Sequence, residues 1–422
     1  MFSDIIGSVM AVDKLIISTL AKGCVETLPE GGLEKKLEAA ARDGRQLRVK
    51  LGVDPTAPDI HLGHTVVPIK LRPFQDLGHR AVLIIGDYTA RIGDPSGVSK
   101  TRPQLSAESI EANAVTYQEQ AHKVLDQNPE KLEVRRNSEW LAPMRLEDIF
   151  KLLSASTVAR ILERDDFEKR FNANQAISML ELLYPLLQGY DSVAIDADIE
   201  LGGTDQKFNM LMGRAVQEYY GKPQQVVLTN EILPGTDGVD RMSKSVGNYV
   251  GVTEPANEIF GKVMSIPDTA MYTYYKLLTS RSTDEIAAIE RGLGDGSLHP
   301  REQKAALGRE LVSRFHDESA AAAAEQHFNE LFRDKKLSAD ADLVDCPLQP
   351  GDDEDGQVFL PRLISRWFSL TSSEARRRIK QGGVSIADKQ VTSEKVSFDS
   401  LAGATIKVGK STKYHGVIKV TG

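Results

Sequence analysis

Short apolar runs alternate with longer amphipathic segments in the first part of the chain. Two runs, AVLII at 81–85 and QVVL at 225–228, have the length and continuity of strands that are buried on both faces. Between them, apolar positions recur at three- and four-residue spacing from Ile177 to Leu187, which predicts a helix. Strands that alternate with helices predict an α/β fold with a parallel sheet.

The rest of the chain changes character twice. After Glu254 strand patterns cease, and the pattern is helical to about Asp334. Residues 338–356 hold seven acidic residues, two prolines and no basic residue, which predicts a linker. Beyond it, a helical pattern from Ser373 to Lys380 precedes a short alternating segment, Val384 to Val391, that predicts a hairpin. The predicted segments are a first domain at 1–235, a loop at 236–252, a helical domain at 253–337, the acidic linker at 338–356 and a small α+β domain at 357–422.

Composition indicates a soluble globular protein. Of the 422 residues, 41% are hydrophobic and 27% are charged, and no apolar run approaches the length of a membrane span. The two cysteines, Cys24 and Cys346, are far apart in sequence, so neither a disulfide framework nor a cysteine-based zinc site is indicated. The N-terminus does not have the basic lead of a secretory signal. We expect a cytoplasmic protein with no membrane partner.

Charge is distributed unevenly along the chain. The net charge is −8, but residues 357–422 hold 12 Lys or Arg and 4 Asp or Glu, a net of +8 that leaves −16 on the remainder. A basic tail on an acidic body is typical of an appended nucleic-acid-binding domain. A basic surface without a partner is the alternative that charge alone leaves open.

The segment GVDPTAPDIHLGH, at 52–64, predicts a tight loop that leads into a helix near His61. His61 and His64 are three residues apart and share a face of the first turn. The free backbone N–H groups and helix dipole at such an end favour phosphate, and two imidazoles add hydrogen-bond donors. Gly63 has no side chain, so a flat base or ribose could approach the backbone there.

A second segment, RMSKS at 241–245, lies in a loop rich in Gly and Asp that extends from Pro234 to Asn248. A mobile loop with Lys and two hydroxyls can bind a polyphosphate and neutralise its developing charge. Each segment alone has a plain structural interpretation, as a helix cap with satisfied histidines or as a solvated basic loop.

Together, in this order and about 180 residues apart, the two segments resemble the HIGH and KMSKS signatures of class I aminoacyl-tRNA synthetases. Four further segments resemble those of the tyrosyl-tRNA synthetases, in the same order: Gly93–Gly97, Asn137–Trp140, Tyr184–Asp191 and Gly202–Gln206.

The resemblance implies a Rossmann-like catalytic domain, a helical domain that contacts the anticodon region, and ATP with Mg²⁺ as a substrate, without an organic cofactor or a protein metal site. The residues implied for catalysis are Thr56, His61, His64, Arg241 and Lys244. Those implied for ATP binding are Gly63, His64, Asp205, Met242, Ser243, Lys244 and Ser245. Those implied for tyrosine binding are Asp94, Asn137, Tyr184, Gln188, Asp191 and Gln206.

The spacing within one of these sets agrees with a shared task. Tyr184, Gln188 and Asp191 are separated by four and three residues, so they can line one helix face. Without the other segments, a solvated helix face is the alternative, and Asp94, Asn137 and Asp205 would be ordinary turn residues.

Three positions depart from the tyrosyl pattern. Lys50 stands where many tyrosyl enzymes have a Tyr whose hydroxyl contacts the substrate phenol. Glu200 stands where many have Gln, and Arg241 replaces the first Lys of KMSKS, which keeps the charge but changes the hydrogen-bond geometry. The donor to the phenol oxygen is therefore open.

The tail resembles the S4 RNA-binding domain. Arg376, Arg377 and Lys380 crowd one side of its predicted helix, and clustered basic residues contact phosphates and set affinity rather than sequence choice. The resemblance implies a homodimer whose partners are tRNA(Tyr), L-tyrosine and ATP.

Two alternatives stay open. The tryptophanyl synthetases share the fold and both signatures, but Asp191 and the S4-like tail disfavour them. An RNA-binding or RNA-splicing accessory protein built on an inactive synthetase body is disfavoured by intact His61, His64, Lys244 and Asp191.

Overall fold

The protein divides into two compact units, 1–325 and 326–422. The computed structural model describes residues 13–56, 60–94, 106–332, 344–347, 352–354, 356–368, 370–387, 389–401, 404–408 and 416–421. Over these ranges, no helix has both the length and the apolar character needed to cross a bilayer.

A six-stranded sheet forms the centre of the first unit. Its strands are β1 (Cys24–Leu28), β2 (Arg48–Val53), β3 (Arg80–Ile85), β4 (Leu132–Arg136), β5 (Ile199–Gly203) and β6 (Val226–Asn230). The side chains of β3 are buried from Ala81 to Ile85, and those of β6 from Val226 to Asn230. Strands covered on both faces have continuous apolar sequences. The two predicted strands, at 81–85 and 225–228, are therefore confirmed as β3 and β6.

The strand order explains where a ligand site can form. The order across the sheet is β1-β6-β5-β2-β3-β4, and all neighbouring pairs are parallel except β1 with β6. The chain moves from β2 through β3 to β4, and then returns to the other side of β2 to form β5 and β6. Loops that follow β2 and β5 diverge, which leaves a crevice at the carboxyl ends of these strands. The predicted parallel α/β fold is confirmed.

Helices connect and cover the strands of this sheet. Among the described residues they are α1 (Lys14–Ala21), α2 (Gly32–Asp43), α3 (Leu62–Asp76), α4 (Ala107–Ala121), α5 (Ser138–Leu141), α6 (Leu146–Leu153), α7 (Val158–Leu162), α8 (Asp165–Asn172), α9 (Met179–Ala194) and α10 (Lys207–Tyr219), with 3₁₀ turns at Thr89–Arg91 and Thr204–Gln206. The predicted helix at 177–187 corresponds to α9. It begins at a capping box, in which the Ser178 hydroxyl accepts from the Leu180 N–H and the Glu181 carboxylate accepts from the Ser178 N–H.

A group of helices follows β6, as predicted for the chain after Glu254. Its members are α11 (Ala256–Ser265), α12 (Asp268–Leu278), α13 (Thr283–Gly294), α14 (Pro300–Phe315) and α15 (Glu318–Phe332). Tyr274 and Tyr275 of α12 are fully buried, and their hydroxyls donate to the carbonyls of Pro234 (2.9 Å) and Gln303 (2.7 Å). The Tyr274 contact fixes the start of the loop that contains Arg241 and Lys244.

The second unit is a small α+β domain. Its elements are β7 (Val344–Pro347), β8 (Asp353–Glu354), β9 (Gln357–Phe359), α16 (Leu360–Trp367), α17 (Ser372–Lys380), β10 (Val384–Ile386), β11 (Lys389–Gln390), β12 (Lys395–Ser397), α18 (Phe398–Leu401), β13 (Thr405–Val408) and β14 (Gly416–Thr421). Leu363 and Ile364 of α16 pack with Ala375 and Ile379 of α17 in a common core. The predicted helix at 373–380 and hairpin at 384–391 correspond to α17 and to the β10–β11 pair.

The acidic segment 338–356 differs from the predicted linker. Of its described residues, Val344–Pro347 pairs in parallel with β14, and Asp353–Glu354 pairs with β9. Acidic composition reflects solvation of the side chains, whereas strand pairing uses the backbone, so composition did not reveal these two strands. The remainder, 338–343, 348–351 and 355, lies outside the described residues.

Candidate active site

The loop after β2 carries the first set of candidate residues to the crevice. It contains Asp54 and Thr56 and leads to α3, whose N-cap is His61, as predicted; residues 57–59 lie outside the described ranges. Two backbone hydrogen bonds join this segment to the end of the second loop, from the Leu62 N–H to the Val250 carbonyl (2.9 Å) and from the Val252 N–H to the Ile60 carbonyl (3.1 Å). The two signature segments, distant in sequence, are therefore adjacent in space.

His61 and His64 are stacked at the start of α3. Their ring centroids are 3.8 Å apart, and the His61 backbone N–H donates to His64 Nδ1 at 3.3 Å. Burial, followed by the charges of His64, Lys244 and Arg241, lowers the pKa of His61 to about 3, and burial followed by Arg241 and Lys244 lowers the pKa of His64 to about 4. Both imidazoles are neutral at pH 7, so they offer hydrogen bonds rather than charge. Gly63 lies against the His61 ring, where an added Cβ would be 3.0 Å from its nearest atoms.

Arg241 and Lys244 supply positive charge from the second loop. The Met242 N–H donates to the Leu233 carbonyl (3.0 Å), and Pro234 and Arg241 form an isolated β-bridge, which closes the loop at its base. Lys244 Nζ lies 5.7 Å from the centroid of the Tyr249 ring. The two cations lie over the crevice next to two neutral imidazoles, an arrangement suited to a polyphosphate.

A cavity of about 440 Å³ lies between these two loops and the end of β5. The predicted residues that line it are His61, Gly63, His64, Asp205, Gln206, Arg241, Met242, Ser243 and Lys244. Ser245 is not among its lining residues; its hydroxyl lies 2.9 Å from that of Ser243. The Asp205 carboxylate is at the end nearest β5, where it can accept hydrogen bonds from hydroxyl groups.

A second cavity, of about 270 Å³, adjoins the first. The predicted residues that line it are Thr56, His64, Asp94, Tyr184, Gln188, Asp191 and Gln206. Tyr184, Gln188 and Asp191 face it from α9, which confirms that they share one helix face. His64 and Gln206 line both cavities, so a ligand in one could reach a ligand in the other.

Carboxylates dominate one end of the second cavity. Asp54 accepts hydrogen bonds from the Tyr184 hydroxyl (2.9 Å) and the Thr89 hydroxyl (2.7 Å), and Asp94 accepts from Gln206 Nε2 (2.6 Å). Burial, together with the negative charges of Asp94 and Asp191, raises the pKa of Asp54 to about 7, although its two hydrogen bonds oppose the shift. Excess negative charge in a buried site is suited to an ammonium group.

Asp191 is held at the inner part of this cavity. It accepts from Trp140 Nε1 (2.8 Å) and from Asn137 Nδ2 (3.4 Å), and burial raises its pKa to about 6. Asn137 is fully buried and also binds the Tyr88 backbone and the Thr89 hydroxyl. Asn137 therefore supports Asp191 from behind and does not line the cavity.

The sequence interpretation missed three groups and left a fourth open. It assigned no role to Asp54, although this residue directly follows β2, and it assigned none to Thr89 or Trp140. The fourth group is a buried ion pair, Lys50 Nζ to Glu200 Oε1 at 2.8 Å. Lys50 and Glu200 both depart from the tyrosyl pattern in sequence, and this joint departure is the signal that the two residues form a pair. Within the segment Gly93–Gly97, residues 95–97 lie outside the described residues.

The predicted RNA-binding residues lie on α17 of the second unit. Arg376 and Lys380 both approach Glu394, at 3.4 and 4.0 Å, and the Arg376 guanidinium is 5.6 Å from the centroid of the Phe359 ring. Arg377 is exposed on the same helix. Two carboxylates, Glu374 on α17 and Glu394 beside it, cannot neutralise the four basic residues of this helix, so its surface is net positive.

Comparison with known proteins identifies the family. Residues 42–333 match the family described as class I tRNA synthetases (W and Y). The tyrosine–tRNA ligase of Moorella thermoacetica is 50% identical over 392 residues, which is 93% of each chain. The chain belongs to the tyrosine–tRNA ligase family. The ligase of Geobacter sulfurreducens is 49% identical over 93% of this chain and 96% of its own.

Solved structures of two synthetases share the fold of this family member. A C-terminally truncated mitochondrial tyrosyl-tRNA synthetase of Aspergillus nidulans superposes with a TM-score of 0.64 and 22% identity, over 76% of this chain and 95% of the other. The Archaeoglobus fulgidus tyrosyl-tRNA synthetase complexed with L-tyrosine superposes with a TM-score of 0.59 and 20% identity, over 74% of this chain and 98% of the other.

Proposed function

We propose that the two adjoining cavities are the ATP and tyrosine sites of a tyrosine–tRNA ligase. The observation that carries this proposal is their position: they meet at the switch point between β2 and β5, one lined by imidazoles and the cations Arg241 and Lys244, the other by carboxylates. Adenosine would lie against Gly63 and His64, with its ribose hydroxyls donating to Asp205. The ammonium of tyrosine would lie among Asp94, Tyr184 and Gln188, with Gln206 beside it.

The proposed first step forms tyrosyl-adenylate. A carboxylate oxygen of tyrosine attacks the α-phosphorus of ATP, and the bond to the β-phosphate oxygen breaks, so that pyrophosphate leaves with the bonding electrons. Thr56 and His61 hydrogen-bond the departing group, and Arg241 and Lys244 neutralise its charge. No enzyme nucleophile is required, because catalysis by positioning and electrostatic stabilisation suffices for phosphoryl chemistry of this kind.

Mg²⁺ enters this scheme with ATP, as part of the substrate. The neutral state of His61 and His64 fits this proposal, because imidazoles without charge do not repel the metal that accompanies the phosphates. In the second step, a ribose hydroxyl at the 3′ end of the tRNA attacks the tyrosyl carbonyl carbon, and AMP leaves.

We also propose that the chain works as a homodimer. Large apolar side chains are exposed on adjacent helices α6 to α9, among them Leu146, Phe150, Val158, Phe171 and Met179. Their clustering between residues 146 and 179 supports an interface, since exposed apolar patches mark association sites. Sedimentation at micromolar concentration tests this proposal, and a monomer would contradict it.

The second unit is proposed to bind tRNA(Tyr) through the phosphates that Arg376, Arg377 and Lys380 can reach. Its net charge of +8 over residues 357–422 supports this assignment. Cytoplasmic location stays a prediction.

Pyrophosphate exchange with each of the twenty amino acids tests the proposed function. Exchange should depend on tyrosine alone, because the Asp191 carboxylate can accept a hydrogen bond from the phenol hydroxyl, whereas phenylalanine brings no donor to replace the water that this carboxylate loses. Exchange with tryptophan would favour the tryptophanyl alternative, and no exchange in a folded protein would favour the accessory one. The Asp191→Ala variant should lose far more kcat/KM for tyrosine than for phenylalanine.

A further inference from the structure

A buried cation lies behind the tyrosine cavity. The side chain of Lys50, on β2, has no exposed surface, and lysine is almost never fully buried unless its ammonium is paired. Its Nζ lies 2.8 Å from Glu200 Oε1, 2.8 Å from Ser192 Oγ and 3.0 Å from the Gln188 carbonyl. Three ammonium protons therefore have three acceptors, and none is left to donate to a ligand.

Lys50 itself does not line the cavity, but two of its three partners do. Gln188 and Glu200 are lining residues, and Gln188 Nε2 donates to Glu200 Oε1 at 3.4 Å. Glu200 Oε2 also accepts from Gln225 Nε2. Lys50 is thus bonded to two groups that form the cavity wall beside Asp191.

Asp191 is surrounded by groups that act in opposite directions on its charge. Burial is the largest cause of its raised pKa; the Lys50 ammonium is the largest opposing one, followed by the hydrogen bonds from Trp140 and Asn137. The negative charge of Glu200 also raises the pKa of Asp191 and is the last of these causes, and Asp54 and the Tyr184 hydroxyl interact with Asp191 as well. Of these neighbours, Lys50 is the cation, so it favours the ionised carboxylate.

We propose that Lys50 is a positioning residue for tyrosine: held by Glu200 and by Gln188 and Ser192, which flank Asp191 on α9, it stabilises the Asp191 carboxylate that accepts a hydrogen bond from the substrate phenol. This inference rests on the proposed contact between Asp191 and tyrosine. The sequence resemblance leads us to expect a neutral Tyr and a Gln at these two positions, with the Tyr hydroxyl on the substrate phenol. Here a charged pair replaces both, and the effect on the phenol is transmitted through Asp191.

The test compares three variants by the pH dependence of tyrosine-dependent pyrophosphate exchange at saturating ATP. K50M/E200Q removes both members of the ion pair together, so neither is left buried without the other, which protects the fold. Lys50→Arg keeps the cation. R170M/E181Q is the matched control, because Arg170 and Glu181 also form a buried ion pair, and its carboxylate does not line the cavity.

In K50M/E200Q, we expect the acidic limb of the pH profile of kcat/KM for tyrosine to move to higher pH by about 0.5 to 1 unit. The loss of Lys50 raises the pKa of Asp191 more than the loss of Glu200 lowers it. The sign follows from Asp191, whose active form is ionised: a higher pKa means that activity is lost at a higher pH as the solution is acidified. The value of kcat/KM should fall more at pH 6 than at pH 8.5, and KM for ATP should not change. The limb should stay in place in Lys50→Arg and in R170M/E181Q, with circular dichroism verifying that each variant is folded.

Three results would overturn the inference that Lys50 acts on the phenol through Asp191. An unmoved limb in K50M/E200Q would exclude an electrostatic role for Lys50, and an equal shift in Lys50→Arg would assign the effect to packing. An equal shift in R170M/E181Q would assign it to general loss of stability. Asp191→Asn separates this inference from the proposed contact between Asp191 and the phenol. If this variant keeps the preference for tyrosine over phenylalanine, the proposed contact is wrong. If it loses that preference while the limb of K50M/E200Q is unmoved, only the role of Lys50 is rejected.

Discussion

Asn248 holds the loop that presents Arg241 and Lys244, and its replacement by Ala should slow adenylate formation specifically. Its side chain is almost fully buried. Its Oδ1 accepts from the Ser243 N–H (2.8 Å), and its Nδ2 donates to Asp237 Oδ2 (2.5 Å) and to the Arg241 carbonyl (3.2 Å). The amide therefore connects both sides of the loop.

The size of the effect follows from these contacts. A neutral hydrogen bond contributes about 1 kcal/mol net and one to a carboxylate about 2 kcal/mol, but water can replace part of this in a loop with exposed residues. We therefore expect Asn248→Ala to destabilise the ordered loop by roughly 2 kcal/mol. If the loop must be ordered in the transition state, this corresponds to a roughly 30-fold slower single-turnover rate.

Rapid-quench measurement of tyrosyl-adenylate formation tests this value, and equilibrium dialysis of tyrosine provides the internal comparison. Tyrosine affinity should not change, because the second cavity contains no residue of this loop. Asn172→Ala, at an exposed position on α8, is the matched control and should leave the rate unchanged. A wild-type rate in Asn248→Ala would refute the view that this amide orders the loop.

Three further predictions concern the phosphates, the carboxylates and the tail. Lys244→Ala should reduce the single-turnover rate of adenylate formation by about 10²–10³ while weakening ATP binding far less; an unchanged rate would remove Lys244 from the mechanism. Tyrosine binding at pH 7 should release up to about half a proton, because Asp54 has a pKa of about 7 and the incoming ammonium lowers it. Calorimetry in buffers of different ionisation enthalpy measures this release, which should fall to about a tenth of a proton at pH 8, where Asp54 is mostly ionised and free tyrosine still carries its ammonium. A chain that ends at Leu337 should keep pyrophosphate exchange but lose most tRNA charging. If about four phosphate contacts are lost, the slope of log tRNA affinity against log salt concentration should become flatter by roughly 3 to 4. An unaltered slope would argue against an RNA-binding tail.

The sequence by itself determined the features that depend on local pattern. Continuous apolar runs gave β3 and β6, and helical spacing placed Tyr184, Gln188 and Asp191 on one face of α9. The loop that leads to His61 and the loop around Lys244 were recognisable because glycine, proline and charged residues act on the backbone close to their own position. These features identified the chemistry before any contact was known.

Only the tertiary structure decided how distant residues act on one another. It places Asp54 beside Asp94 and Asp191, and burial of this acidic cluster raises the pKa of Asp54. It pairs Lys50 with Glu200 across two neighbouring strands, and it forms a strand at 344–347, within the acidic segment that composition assigned to a linker. The physical reason is common to all three. Strand pairing and burial depend on partners far away in the chain, and a local sequence pattern does not specify which partner a residue will have.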